Sequence, residues 1–232
     1  MTRHREPEPI RPNLWADRLP SYAFLVEAAI GRNPMRYVMA RWFDQEDPKR
    51  ARTVLFVLKP DVLFGTYVRI AEDVVAGEVS AHTFLPTMAK PMRVADVMLF
   101  DCLPLTDVGY VDLMAWPHPL RDNENDDGTG RTYRFGGHDD LPSIVVTEQV
   151  DAGHAMVTAR RVHRDGICTR TWEITEHGAA ADGNLPLGIR VARPQTGHVT
   201  DFRRATAPLP VPGEVFDLEA QPMREWLVAR LA

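Results

Sequence analysis

The sequence predicts a mainly β protein of α+β class. It points to a single curved antiparallel sheet, or half-open β-barrel, with helices covering or plugging the concave face. Three observations carry this. Short runs rich in Val, Ile, Thr, Phe and Tyr recur along the chain, separated by Gly, Pro or Asp signals roughly every eight to twelve residues. Some runs carry bulk on both sides: Tyr37, Met39, Arg41 and Phe43 face one way, Val38, Ala40 and Trp42 the other. The run Val54 to Leu58 is apolar throughout, as in a strand covered on both faces.

Taken in order, residues 1–20 predict an extended arm broken by Pro7, Pro9, Pro12 and Pro20. Ser21 then suits the cap of a helix over 22–30, with Tyr22, Leu25, Val26 and Ala29 as its apolar stripe and Gly31 at its end. Strands follow at 36–44 and 52–58. Two more, at 66–70 and 79–85, are joined by a loop in which Gly77 can take positive φ. Pro86 closes the second of these, and residues 90–93 start another extended piece. Residues 105–114 read as a short helix capped by Thr106 or Asp107.

The polar stretch 121–130 reads as a mobile surface loop. Strands are predicted at 131–135, 143–150, 155–163, 167–175, 187–192 and 198–205, with Asp165-Gly166 as a hairpin turn. Pro208, Pro210 and Pro212 make a stiff bridge. Pro222 suits the first turn of a last helix, along which Met223, Trp226, Leu227 and Leu231 share one side. With no internal repeat or boundary, 21–232 forms one domain with a helix at each end.

A chain of 232 residues can bury a substantial core. The net charge of −5 argues against a nucleic-acid partner. No apolar run reaches the roughly 18 to 20 residues of a membrane span. The first residues are charged and proline-rich rather than signal-like, so a cytoplasmic protein is expected. Cys102 and Cys168 read as two buried thiols that need no disulfide. Lysine occurs only at 49, 59 and 90, and the dominance of arginine with Ala, Val and Pro suggests a GC-rich, actinobacterial type of genome. The oligomeric state is not legible.

Phosphate-loop, dinucleotide, nucleophile-elbow and zinc-pair signatures are absent. The acidic stretch from Asn123 would need a bidentate glutamate at its twelfth position to hold calcium, and Arg134 stands there. No metal and no cofactor are therefore expected. The histidines are scattered singly, and His82 is the one placed to face a pocket. Asp107 suits a helix cap, and Asp112 a nearby base.

The aromatic and methionine residues are more informative as a group. Met39, Trp42, Phe43, Phe56, Tyr67 and Phe84, then Tyr110, Met114, Trp116, Trp172 and Phe202, fall on predicted sheet faces or the covering helix. A curved half-barrel is hard to fill with side chains, so these residues could line an apolar cavity for a hydrophobic small molecule. Inward arginines such as Arg41, Arg69 or Arg170 could then fix a carboxylate or acidic enol.

An apolar run ends in Lys59-Pro60 and is followed by Gly65-Thr66 opening a strand. A strand ending in Phe84-Leu85-Pro86 comes next, then Lys90 and Arg93, then Asp107, Tyr110, Asp112 and Leu113. This order resembles the outer-membrane lipoprotein-sorting family, the LolA/LolB-like half-barrels that carry lipidated clients across a periplasm. The resemblance covers about a quarter of the chain. It departs from the family at Leu105, where glycine is usual, and at Val111, where an acidic residue is usual. It implies a LolA-like half-barrel and a carrier of lipids or acylated proteins. A cytoplasmic location removes that task, which favours a second expectation: a cofactor-free cyclase, pericyclase-like, that moulds a polyketide-type metabolite by orientation alone.

Overall fold

The computed structural model describes residues 19, 21–31, 33–47, 49–115, 129–137, 141–151 and 156–231, together with the backbone of 122–126. The predicted arm over 1–20, apart from Leu19, lies outside these residues, as does Trp116.

One open antiparallel sheet of 13 strands dominates the described residues. Its first six strands are β1 (Ser21–Ile30), β2 (Asn33–Phe43), β3 (Arg50–Lys59), β4 (Tyr67–Asp73), β5 (Glu78–Phe84) and the short β6 (Met92–Arg93). Each pairs with the one before, so the sheet grows outward from β1 to an edge at β6. The chain then crosses the sheet. It resumes at the opposite edge with β7 (Asp122–Asp126), β8 (Gly130–Phe135), β9 (Ile144–Asp151) and β10 (Met156–Arg164). β11 (Ile167–Glu176), β12 (Gly188–Arg193) and β13 (His198–Arg204) bring it back, and β13 pairs with β1. β6 and β7 do not meet, so the half-barrel is open.

The crossing segment fills the concave side. It contains a 3-10 turn at Asp96–Phe100 and the one-turn helix α1 (Tyr110–Leu113). Leu99, Phe100, Leu103, Tyr110, Val111 and Met114 join the inner faces of the strands in the main core. The convex side of β1–β3 carries a second core, made with residues 209–218 and the helix α2 (Ala220–Leu231). Met223, Leu227 and Leu231, one per turn of α2, are buried there. Each side chain removed from water contributes about 1.5–3 kcal/mol. No helix among the described residues is long and apolar enough to cross a membrane.

The double covering of β1–β3 explains the alternation in the sequence. Tyr37, Met39, Arg41 and Phe43 face the concave core, while Val38, Ala40 and Trp42 face α2. It also accounts for the first correction. Residues 22–30 are a strand, not a helix. Tyr22 and Ala23 are both fully buried, one on each face, and a strand buried on both faces has no polar alternation to distinguish it from a greasy helix. Gly31, at φ +62, opens the turn into β2 instead of ending a helix.

The helix predicted over 105–114 is reduced to α1. Before it, residues 103–108 form a tight turn closed by Leu103 N–H donating to Val108 O at 2.8 Å. Thr106 Oγ1 donates to Leu103 O and accepts from Val108 N–H, so its hydroxyl serves the turn rather than a helix cap. The stretch 121–130, expected as a mobile loop, instead includes β7, paired with β8. Cys102 and Cys168 are free and half-buried, more accessible than expected.

Candidate functional site

The inward positions of β1 and β2 alternate with period two and stand opposite each other. Tyr22 pairs with Arg41, Phe24 with Met39 and Val26 with Tyr37. These six side chains form one wall of a cavity of about 130 Å³. Trp172 of β11, Ile189 and Val191 of β12, and Phe202 of β13 form the opposite wall. The crossing segment closes it with Asp107, Val108, Gly109, Asp112 and Leu113. The lining is predominantly hydrocarbon and aromatic, with charged groups confined to the closing segment and Arg41.

Those charges are held. Asp107 accepts from Arg193 Nε at 2.9 Å, faces His198 Nδ1 at 2.9 Å and accepts from Thr200 Oγ1 at 2.5 Å. It therefore ties the 103–108 turn to β12 and β13 and caps no helix. Asp112 meets Arg160 Nη1 at 2.5 Å and Arg170 Nη1 at 2.9 Å, which is the partnership with a base expected of it. Arg160 also donates to Glu148 Oε1 at 2.7 Å and lies over the Trp172 ring. Burial alone would push the Arg160 guanidinium down, but Glu148 and Asp112 reverse this and hold it above its ordinary value. Arg41 donates through Nε to Thr53 Oγ1 at 2.9 Å and through Nη2 to Leu113 O at 2.5 Å.

Two phenols in the wall stay protonated. Burial pushes Tyr22 up, opposed by the neighbouring Arg41 charge, and burial reinforced by Asp107 pushes Tyr37 up as well. The Tyr37 hydroxyl has no hydrogen-bond partner within the protein, and that of Tyr22, beside the Arg41 guanidinium, donates to none.

Of the residues proposed from sequence, Met39, Arg41, Trp172 and Phe202 line this cavity. Tyr110 and Met114 are buried in the main core beside it, and Phe43 packs in a separate small cluster with Ala51 and Ala115. Trp42, Phe56 and Tyr67 belong to the convex core under α2. Phe84 stacks on Tyr67 at 5.3 Å, on that same side. Arg69 donates to Phe216 O and Leu218 O, and its cross-strand partner His82 shares its face, so neither reaches the cavity. Tyr22, Phe24 and Val26 were missed because their stretch read as a helix; their period-two spacing was the available signal.

No protein-family model matches the chain, and no curated protein sequence does. Solved structures do. A protein domain assigned to outer-membrane lipoprotein sorting, from Vibrio parahaemolyticus, superposes with a TM-score of 0.63 at 12% identity, covering 90% of this chain and 92% of that one. A DUF1329 family protein from Desulfovibrio piger gives 0.62 at 15% identity, covering 83% and 86%. A LolA superfamily protein from Nitrosomonas europaea gives 0.52 at 13% identity, covering 84% and 88%. The chain therefore has the LolA-like fold: an open antiparallel half-barrel with a plugged concave face.

Proposed function

We propose that this protein binds a hydrophobic small molecule in the cavity between β1–β2, β11–β13 and the crossing segment, and carries or presents it without changing it. The observation that carries this reading is the cavity itself, lined mainly by apolar side chains on the concave side of the sheet. The lipoprotein-sorting assignment of the Vibrio structure agrees with a carrier role. A cofactor-free cyclase acting on a polyketide-type metabolite is the second reading, favoured by the buried phenol donors in the wall, which could stabilise developing negative charge. Against it, the carboxylates at the cavity are engaged by arginines and a hydroxyl. A cytoplasmic location is proposed with both readings, and cell fractionation decides it.

Native mass spectrometry of the protein purified from its source organism, with solvent extraction of the same sample, tests the proposal. A non-covalent apolar molecule that rebinds and is recovered unchanged is the expected result. Conversion of an added linear precursor to a cyclic product would replace the carrier by the cyclase. A mass equal to the bare chain, with no uptake of added apolar compounds, would overturn both.

A further inference from the structure

Four arginines are buried among the described residues: Arg41, Arg160, Arg170 and Arg204. Three of them have a carboxylate at hand. Arg160 meets Glu148 and Asp112, Arg170 meets Asp112, and Arg204 meets Asp182 at 2.7 Å. Arg41 is 3% exposed and has only neutral partners, the Thr53 hydroxyl and the Leu113 carbonyl. A buried cation without an anion bears a large desolvation cost that neutral acceptors offset only in part.

A second observation falls at the same place. Tyr22 is the cross-strand partner of Arg41, is fully buried, lines the same cavity, and its hydroxyl lies beside the Arg41 guanidinium with its own O–H donating to nothing within the protein. A guanidinium and a phenol O–H on neighbouring strands supply donors to a carboxylate, whose oxygens accept charge-assisted hydrogen bonds. Beyond them the wall continues as Phe24, Met39 and Leu55, which suit a hydrocarbon body. The other ions around the cavity do not compete for the role, because Asp107 and Asp112 are already matched by Arg193, Arg160 and Arg170.

We propose that the ligand is an anionic amphiphile, a carboxylate on an apolar chain, whose head group docks on Arg41 and Tyr22. This rests on the cavity being a binding site for a hydrophobic molecule, as inferred above. It adds that the molecule is charged, and which end of it lies at the β1–β2 wall.

Isothermal titration with octanoate and octanamide, equal in shape and different in charge, tests the proposal. The intact protein is expected to bind octanoate at least about 10-fold more tightly, the advantage of hydrogen bonds to a charged group over neutral ones. Arg41→Gln is expected to bring the two ligands to within about threefold of each other while octanamide still binds, a levelling that follows from removing the charge-assisted bonds. Because Arg41 also holds Leu113 O, this variant is checked for folding by circular dichroism. Tyr22→Phe, which deletes only the hydroxyl, is expected to weaken octanoate more than octanamide and decides the matter if Arg41→Gln does not fold. Equal binding of the two ligands by the intact protein would overturn the anion site and leave the hydrophobic cavity standing. Binding of neither would overturn both.

Discussion

The Arg170 guanidinium occupies the space where a side chain at Gly109 would stand. A β-carbon at that glycine would stand 1.4 Å from Nη1 and 2.2 Å from Cζ. Gly109 has an ordinary φ of −77, so its requirement is for space, not for conformation. The absence of a side chain lets a buried arginine reach Asp112 across the start of α1.

Gly109→Ala is accordingly expected to push Arg170 away from Asp112 and to destabilise the fold by about 3–5 kcal/mol, the range for breaking a buried pair. Urea unfolding measures this. If the clash is the cause, adding Gly109→Ala to an Arg170→Ala background costs far less than adding it to the native chain.

Tyr37→Phe removes a buried hydroxyl that has no partner within the protein. Most core changes destabilise, but here the native state loses an unmatched polar group. The unfolding free energy is expected to stay level or to rise by up to about 1 kcal/mol. A loss above about 1 kcal/mol would show that the hydroxyl is bonded in solution.

Alkaline pH should unfold the protein through its tyrosines. Burial raises Tyr22, Tyr37, Tyr67 and Tyr110 above the ordinary value of 10.0. An acid whose pKa is higher in the folded state favours folding fully below the unfolded pKa and loses that contribution as pH rises through the folded one. Stability is therefore expected to hold to about pH 10 and to fall above it. Phenolate absorbance should show these tyrosines ionising together with the loss of structure and not before it.

Leu105 sits at φ +60 at the tip of the 103–108 turn and is 73% exposed. A left-handed backbone costs a branched-chain residue about 1–2 kcal/mol, and asparagine tolerates it better. Leu105→Asn is expected to raise the thermal midpoint, while Leu105→Val lowers it. Calorimetry of the two variants gives the order.

Local chemistry made much of this fold legible. Gly77 and Asp165-Gly166 mark hairpins because their positive φ values suit few other residues, and each turn forms where its sequence places it. The stripe of Met223, Leu227 and Leu231 is likewise a direct record of one buried helix face. The cavity was harder to read for a reason of symmetry. Alternation in β2 separates Met39 and Arg41 from Ala40 and Trp42, but when both faces are buried nothing in the pattern says which is concave. Phe56 and Tyr67 thus resembled cavity residues while packing beneath α2. Asp107 looked like a helix cap because its actual partners, Arg193, His198 and Thr200, are distant in sequence.

Among the described residues, the second hydrophobic layer under α2 backs β1–β3 and their neighbours; on the other half of the sheet the outward positions carry groups such as Gln149, Arg161, Glu173 and Asp201, which are exposed. The two halves are expected to differ in stiffness as a result. Flexing the backed half means shearing a packed layer, whereas flexing the unbacked half displaces only solvent. Of the two cavity walls, β1–β2 is expected to be the anvil that keeps its shape and β11–β13 the jaw that gives.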